Sequence, residues 1–381
     1  MASPEITSAP RESLQSVAAL ANQAADLADE IEKTRRLPDE LVDRLKRAGA
    51  FRALIPARFG GLQAEFVEYM EVIHQLARAD ASTAWCVNQA AVIGLTSLWL
   101  PPGSTRTIWA EPDASVANGP PFDCLFEDAK QGYVLNGHWG FSSGCQHATW
   151  MMAMARYTGG GYRFAYFRPT DVQFIDNWHV AGLKGTGSFE FTIKDLSVSA
   201  AWLGNLAEPA EFDYVLAQIP NTLLFATSFA CVALGVAAAA LDDVVAIAQG
   251  KVPRFSATTV RDDPDVQRFI GRATATWRAA YAYLFDTVAK VVASVSERGE
   301  ITMDERGELR MAGTYVIQEC ASVVDAAYKV SGSTGIYQNH TLQRRFQDMH
   351  VITQHVQGRE AYFAALGRFR MTGKYELGPM M

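Results

Sequence analysis

The sequence has little that would support a metal centre, a disulfide framework or a nucleotide-binding loop. Its five cysteines are scattered and odd in number, and no two have C-x-x-C spacing. Scattered thiols of this kind indicate a reducing compartment, so we expect a cytoplasmic protein. No G-x-G-x-x-G, P-loop, H-E-x-x-H or G-x-S-x-G motif stands in the setting that its chemistry requires.

Long runs of basic charge are also missing. The net charge is -7 and the basic residues form no stripe, which argues against a nucleic-acid surface. The N-terminal stretch MASPEITSAPRESLQ contains acidic residues and lacks an apolar core, so we expect no signal peptide. One uncharged run, 223–241, approaches the length of a membrane span. Its many small residues favour a helix buried in a soluble bundle, and no membrane partner is expected.

Helical periodicity dominates the first third of the chain, 1–113. Apolar residues recur at helical spacing over 13–36. Pro38 opens a second helix, and Gly49 marks its end. Two further helices are predicted over 64–80 and 82–100, with Asp80 and Ser82 as candidate caps at their junction.

The period changes near residue 114, and 114–204 is predicted to be a small antiparallel β domain. Asn136-Gly137 stands between two apolar stretches, which is a strong signal for a type I′ hairpin turn. The turn TGGGY, 158–162, separates two more strands. Strict alternation of apolar and polar residues over 189–198 predicts another strand.

Helical periodicity returns in the last part of the chain, 205–381, with loops near 250–264 and 297–303. The order of helices, β domain and helical bundle resembles that of the acyl-CoA dehydrogenases. The stretch LPDELVDRLKRAGAFRALIPARFGGL and the later ARADASTAW resemble the N-terminal domain of that superfamily. The resemblance covers nearly the whole chain. It implies a mostly α fold with a helical N-domain, a central β-barrel domain and a C-terminal four-helix bundle.

A first candidate site is WGFSSGCQHATW, 139–150. From the residues alone, we favour a strand end capped by serines and a glycine turn. The stretch Phe141-Ser142-Ser143-Gly144 resembles the flavin-dependent monooxygenases of this fold, such as the oxygenase component of 4-hydroxyphenylacetate hydroxylase and dibenzothiophene monooxygenase. The resemblance implies that Phe141 and Ser143 contact flavin. It also implies that Ser142 or Ser143 is catalytic, holding the oxygen of a flavin hydroperoxide.

A second candidate site is NWHVAGLKGTGSFEF, 177–191. On its own it reads as a glycine-rich turn that enters a strand. Thr186, Gly187 and Ser188 offer hydroxyl and backbone N–H groups, which suit the polar edge or phosphate of a flavin. The sequence pattern G-x-x-G-T-G-S again resembles that of the monooxygenases, which implies that these three residues bind the cofactor.

The third candidate site is the helical stretch RRFQDMHVITQH, 344–355. His350 and His355 are five residues apart, about 140° around a helix, so they do not share a face and no metal site is expected. By resemblance, His355 takes the position of a histidine that approaches the flavin opposite the serines of the first site. We expect it to be catalytic, with an ordinary pKa of ~6.5 that suits proton transfer near neutral pH. His350 is expected to serve packing, and Gln347-Asp348 departs from the usual Arg-Asp.

Two further groups of residues have both a functional and a structural interpretation. Trp85, Asn88 and Gln89 are candidate substrate-binding residues by analogy of position, and a helix that faces the core accounts for them equally well. Arg254-Phe255 resembles an Arg and Phe that reach a neighbouring subunit's cofactor. A solvated loop is the alternative for this pair, and the sequence favours neither.

The resemblance implies an oxygenase component of a two-component flavin-dependent monooxygenase. Such a protein uses reduced FMN or FAD and O2 to hydroxylate a small aromatic or heteroaromatic substrate. Because the chain has no nicotinamide-binding fingerprint, a separate NAD(P)H:flavin reductase is expected to supply the flavin by diffusion, and a homotetramer is expected. The alternatives are an acyl-CoA dehydrogenase or oxidase, whose glutamate base has no recognisable motif here, and a non-enzymatic flavin-binding scaffold.

Overall fold

The structure, a computed structural model, describes residues 9–374. The contacts between residues divide the chain into two compact units. The first contains the described residues up to Val72, together with Trp85–His179 and Lys184–Asn221. The second contains Ile73–Ala84, Val180–Leu183 and the described residues from Thr222 onward.

Short helices form the start of the chain. They are α1 (Ala9–Ala19), α2 (Ala21–Asp26), α3 (Ala28–Thr34) and α4 (Asp39–Arg47). The single helix predicted over 13–36 is thus interrupted twice, at Leu20 and Leu27. The predicted limits of α4 are confirmed, because Pro38 precedes its first residue and Gly49 follows its end with a left-handed φ of 76°.

Two longer helices and a short one follow, namely α5 (Phe66–Ala79), α6 (Ala81–Gly94) and α7 (Pro102–Trp109). Asp80 caps α6 as predicted, because its carboxylate accepts a 2.6 Å hydrogen bond from the backbone N–H of Thr83. Ser82 lies inside the first turn of α6 and is not the cap.

The strands of the first unit form one sheet in the order β6-β7-β3-β2-β4-β5-β8, with β1 paired to β4. They are β1 (Val116–Gly119), β2 (Pro121–Asp128), β3 (Tyr133–Ser142), β4 (Trp150–Tyr157), β5 (Tyr162–Phe167), β6 (Gln173–Ile175), β7 (Phe189–Val198) and β8 (Leu203–Gly204). The strands predicted on either side of the TGGGY turn and over 189–198 are confirmed. The sheet is mostly antiparallel, but β4 runs parallel to both β1 and β2.

The hairpin turn predicted at Asn136-Gly137 is wrong. Both residues lie inside β3, and the turn that joins β2 to β3 is closed by Ala129 N–H donating to Gly132 O at 3.1 Å. The pair marks a register shift against β7, where Asn136 Oδ1 accepts from Asp195 N–H at 2.7 Å. Glycine is required at 137 because a Cβ there would lie 2.7 Å from Cys124 Cα. An Asn-Gly pair therefore served a bulge rather than a turn.

The second unit is helical. Its main helices are α8 (Asn221–Gly250), α9 (Pro264–Arg298), α10 (Met303–Ser331), α11 (Thr341–Gln354) and α12 (Ala361–Thr372). The two predicted loops, between α8 and α9 and between α9 and α10, are confirmed. α8 is long and apolar enough to cross a membrane, but its most apolar window is wholly buried within the protein.

Small residues let other elements of the second unit approach α8 closely. A Cβ on Gly235 of α8 would lie 2.5 Å from the Cβ of Ala77. A Cβ on Gly313 of α10 would lie 2.7 Å from the carbonyl oxygen of Ala226. Burial of this kind accounts for the uncharged composition of 223–241 without a membrane.

Candidate functional site

The end of β3 presents an exposed aromatic ring on a strained backbone. Phe141 has a φ of 55°, which bulky L-residues rarely adopt, and it is 59% exposed. Its ring meets Trp178 edge-on with 6.1 Å between centroids and meets Phe122 at 6.4 Å. Such a conformation costs roughly 1–3 kcal/mol and is found mainly where function requires it.

Two residues further along the chain from Phe141, Ser143 joins a buried hydrogen-bonded cluster of three hydroxyl groups and an indole. Trp85 Nε1 donates to Ser143 Oγ at 3.1 Å. Ser143 Oγ and Ser188 Oγ are 2.7 Å apart, and Ser188 Oγ and Thr186 Oγ1 are also 2.7 Å apart. The structure thus brings together residues that the sequence separates by about one hundred positions, from α6, the end of β3 and the turn before β7. We call these four residues the hydroxyl cluster.

The indole fixes part of the cluster's polarity. An indole N–H can only donate, so Ser143 Oγ must accept from Trp85. Each hydroxyl has one proton, and the bond between Ser143 and Ser188 can run in either of two directions. In one, Ser143 donates to Ser188. In the other, Ser188 donates to Ser143, and the proton of Ser143 is available to a different acceptor.

Backbone contacts hold the two loop segments of the cluster together. Gly144 N–H donates to Thr186 O at 2.9 Å, which joins the turn after Ser143 to the turn before Ser188. Gly187 has a φ of 49°, and a Cβ there would lie 2.0 Å from Gln146 Nε2. Only glycine fits such a left-handed and crowded position.

The two adjacent serines of the first site have different surroundings. Ser142 is fully buried, and its Oγ has no oxygen or nitrogen partner among the described residues. The thiol of Cys145, a weak hydrogen-bonding group, interacts with it, and burial raises the pKa of that thiol to about 12. Ser143, not Ser142, therefore belongs to the hydroxyl cluster.

The three candidates on α6 all contact protein groups. The indole N–H of Trp85 is used by Ser143, as described above. Gln89 Nε2 donates to Asn118 Oδ1 at 2.5 Å. Asn88 is fully buried, and its Oδ1 accepts from Tyr69 at 3.2 Å while its Nδ2 has no partner among the described residues. If the amide is flipped, the oxygen is the atom that lacks a partner, so one polar atom of Asn88 is unsatisfied in either orientation.

The sequence did not predict the contacts that Arg35 makes with the segment around Trp178. Arg35 forms two hydrogen bonds to the carboxylate of Asp176, at 2.7 and 2.6 Å, and a third to Trp178 O at 3.0 Å. This pairing of guanidinium and carboxylate holds the segment on which Phe141 rests. Its partners are 141 positions apart in the chain, and no local pattern indicates such a pairing.

In the second unit, His355 lies just beyond the end of α11. Its φ of −68° and ψ of 143° are extended, so the helix predicted to contain it ends at Gln354. Its ring meets Phe229 of α8 edge-on, with 4.8 Å between centroids, and its Nδ1 is inaccessible to solvent. Burial, and secondarily the charge of Arg310, lowers the pKa of His355 to about 4. The ordinary pKa expected from the sequence is therefore wrong, and the imidazole is neutral at pH 7.

The structure gives Gln347-Asp348 a physical role. Asp348 is almost fully buried, and its carboxylate accepts a 2.6 Å hydrogen bond from the backbone N–H of Leu183. Leu183 has a left-handed φ of 50°, and a Cβ on Gly182 would lie 2.3 Å from the backbone of Gln347. Asp348 thus caps the segment Val180–Leu183 where it packs closely on α11.

The remaining candidates lie at the surface of the second unit. His350 contacts Asp325 at 2.9 Å and the ring of Phe346, so it serves packing. Phe255 is 96% exposed with a φ of 69°, and the Arg254 guanidinium lies 5.0 Å from its ring. Among residues 9–374, no three His, Cys, Asp or Glu side chains are grouped so as to hold a metal ion.

Comparison with known proteins identifies two family regions. Residues 7–100 match the N-terminal domain of acyl-CoA dehydrogenase, and residues 227–360 match the C-terminal domain of acyl-CoA dehydrogenase.

Individual relatives are similar to this chain over most of its length, in sequence and, for one of them, in structure. Indole-3-acetate monooxygenase of Pseudomonas putida is 30% identical over 338 residues, which cover 86% of this chain and 85% of that protein. The FADH2-dependent resorcinol hydroxylase, oxygenase component, of a Rhizobium strain is 28% identical over 369 residues, covering 89% of each. The crystal structure of 3-HSA hydroxylase from Rhodococcus sp. RHA1 is 25% identical and superposes with a TM-score of 0.90, covering 97% of this chain and 99% of that one.

Proposed function

Since this chain belongs to the acyl-CoA dehydrogenase family, within its branch of flavin-dependent monooxygenases, we propose that it is the oxygenase component of a two-component system. It uses reduced flavin and O2 to hydroxylate a small aromatic or heteroaromatic substrate of the phenol or indole type. The names of the relatives that act on indole-3-acetate and resorcinol support this substrate class. The hydroxyl cluster, joined through Ser143 to the strand end that presents the exposed ring of Phe141, is the observation that carries the proposal.

The residues of the first unit fit a flavin. A flavin ring has apolar faces and a polar edge, and Phe141 offers an exposed aromatic surface for the first. Ser143, Thr186 and Ser188 offer hydroxyl groups for the second. Gly187 permits the left-handed turn, packed against Gln146, that carries Thr186 and Ser188. These five residues are therefore the ones that we assign to the cofactor.

Ser143 and Trp85 control a proton at this site. Reduced flavin supplies, when bound, the two electrons with which one atom of O2 enters the substrate and the other leaves as water. When Ser188 donates to Ser143 as well as Trp85, the Ser143 oxygen accepts both bonds and its own proton can be directed outward. A donor that is positioned in advance stabilises a developing negative charge without reorganisation. We therefore assign catalysis to Ser143 rather than Ser142, with Trp85 as the residue that positions it.

His355 is assigned as a proton acceptor. Because its imidazole is neutral at pH 7, it can take a proton or a hydrogen bond from the hydroxyl or ring N–H of a substrate. It cannot serve as a ready proton donor at that pH, since it binds a proton only as the pH falls toward 4. The sequence suggests a histidine that both donates and accepts protons, whereas we assign only the accepting role.

Asn88 is the strongest substrate-binding candidate on α6. A buried amide with one unsatisfied atom is costly, and a substrate hydroxyl, which can both donate and accept, would satisfy it in either orientation. Trp85 and Gln89 already donate to Ser143 and Asn118, so their contribution to substrate binding is through their ring and stem.

A separate NAD(P)H:flavin reductase completes the system. The absence of a nicotinamide-binding fingerprint in the sequence and the term "oxygenase component" in a relative's name support this partner. We further propose a cytoplasmic homotetramer, with the exposed Arg254-Phe255 loop directed to a neighbouring subunit's cofactor. The free cysteines support the location.

The finer architecture is also a proposal. We infer a helical domain over 1–113, a β-barrel domain over 114–204 and a four-helix bundle within 205–381. The change from helices to strands after α7 and the return to long helices at α8 support these boundaries.

Anaerobic titration with reduced FMN and FAD tests the cofactor site. We expect saturable binding of one of them, weakened at least tenfold by Phe141→Ala. Tyr162→Ala is the matched control, because Tyr162 is an equally exposed aromatic residue on β5 of the same sheet. Equal losses in both variants, or no binding in the wild type, would contradict the assignment. The acyl-CoA dehydrogenase alternative instead predicts that an acyl thioester bleaches bound oxidised flavin without O2.

A further inference from the structure

His355 is followed by a buried turn whose polar groups need partners. Val356–Gly358 forms a single 3-10 turn, closed by Gly358 N–H donating to His355 O at 3.0 Å. Gln357 and Gly358 are both buried. Buried backbone carbonyl groups must be hydrogen-bonded to avoid a large desolvation cost. Whatever satisfies them also fixes where His355 lies, because the same turn begins at His355.

One face of α10 supplies these partners. Arg310 donates to Gln357 Oε1. Thr314 Oγ1 donates to Gln357 O at 3.4 Å, and Gln318 Nε2 donates to Gly358 O at 2.6 Å. Positions 310, 314 and 318 are spaced by four residues, so they form one row along the helix. All three side chains of this row are polar, and each donates to the turn.

Close packing shows that this contact is specific. A Cβ on Gly358 would lie 2.8 Å from Ile317 Cγ2, so the turn touches α10 at a distance that only glycine permits. Arg310 is completely buried, and its guanidinium donates to Thr222 O at 3.3 Å. The guanidinium carbon lies 4.6 Å from the centroid of the Tyr362 ring. Burying a guanidinium costs more than burying an apolar side chain of similar volume. Its presence therefore points to a task beyond packing.

We propose that Arg310, Thr314 and Gln318 form a clamp that positions His355 through the turn Val356–Gly358. They are positioning residues, because each acts on the imidazole through the turn and its neighbours. The role of His355 as proton acceptor belongs to the proposed function, on which this inference rests. The clamp keeps the imidazole against Phe229, with its Nδ1 shielded from solvent.

The protonation of His355 reports on the clamp in protein without flavin. Arg310 of α10 is the charged group whose field reaches the imidazole, and Phe229 of α8 contributes no charge. A loosened turn admits water, which weakens the desolvation that keeps the ring neutral. The pKa of His355 then rises toward its ordinary value.

The test is an NMR titration of isotope-labelled histidine, with the His355 signal assigned from a His355→Asn variant. In Gln318→Leu and in the milder Thr314→Val, we expect the titration of His355 to move up by roughly one pH unit. Ser322→Ala is the matched control, since it is the next step of the same row but its hydroxyl bonds only Gln318 O of its own helix. It should leave the titration unchanged.

The outcomes separate the clamp from the proposed function. If Gln318→Leu and Thr314→Val lower the melting temperature but leave the titration of His355 in place, the row is merely structural and the clamp is wrong. If the titration moves, the clamp holds, and product formed per O2 should fall in the same variants. If His355→Ala leaves that ratio unchanged while the titration moves in the clamp variants, the clamp stands and the catalytic role of His355 fails.

Discussion

Two adjacent serines at the end of β3 differ in what they contact. Ser143 joins Trp85 and Ser188 in a hydrogen-bonded cluster, whereas Ser142 is enclosed beside Cys145. The sequence marks both as equal, because nothing local shows that one hydroxyl meets an indole 58 positions away. The tertiary contact therefore distinguishes the donor from its neighbour.

Replacing each serine separately tests this distinction. Ser143→Ala removes the directed proton donor, and loss of one such donor costs on the order of 100-fold in rate. We expect a matching fall in hydroxylated product and a rise in released H2O2. Ser142→Ala, the matched control, should retain near-normal product per O2. A loss confined to Ser142→Ala would reverse the assignment.

The protonation of His355 gives a second prediction. Its pKa is lowered to about 4, so the neutral form persists as the pH falls until about that value. Product formed per O2 should therefore show no acidic limb near pH 6.5 that depends on His355. Steady-state measurements of wild type and His355→Gln from pH 5 to 8 check this. A limb at pH 6.5 that disappears in the variant would show that the imidazole is exposed and charged in the working enzyme.

At the scale of elements, periodicity in the sequence predicts most of the helices and strands. The limits of α4, the Asp80 cap and the alternation in β7 follow from local chemistry, and the structure confirms them. Asn136-Gly137 misled because the same dipeptide serves a turn or a bulge, and only the approach of Cys124 decides between them. The break at His355 also depends on packing, since nothing in ITQHVQG forbids a longer helix.

Asp348 provides a test of how one element holds another. Asp348→Ala leaves the buried N–H of Leu183 without its carboxylate, and a hydrogen bond to a charged group contributes about 1.5–3 kcal/mol. Urea denaturation should show a loss of unfolding free energy in that range. Asp325→Ala, which removes an exposed partner of His350, is the control and should cost under about 0.5 kcal/mol. Equal effects would mean that Asp348 is not a cap.

At the scale of the whole molecule, histidines kept neutral by desolvation limit stability in acid. Burial lowers the pKa of His74, His147 and His355 to about 4 from an unfolded value of 6.5. Between these values the unfolded chain binds more protons, so stability is full above pH 6.5 and is lost as the pH falls toward 4. Each histidine contributes about 1.4 kcal/mol of loss per pH unit in this window.

Denaturation at several pH values checks this account. The free energy of unfolding should fall from pH 6.5 to 4.5, and His74→Gln should reduce the slope by about one histidine's share. A slope that His74→Gln does not alter would show that His74 titrates normally in the folded protein.

We propose above all that this chain transfers an oxygen atom from O2 to an aromatic substrate. The most direct measurement supplies chemically reduced FMN or FAD under 18O2 to the purified protein, with a panel of phenols and indoles, and analyses the products by mass spectrometry. The account predicts that at least one product gains one 18O atom, and that Ser143→Ala converts most of the consumed O2 into H2O2 instead. Release of all consumed O2 as H2O2 by the wild type, with no labelled product from any phenol or indole, would contradict it.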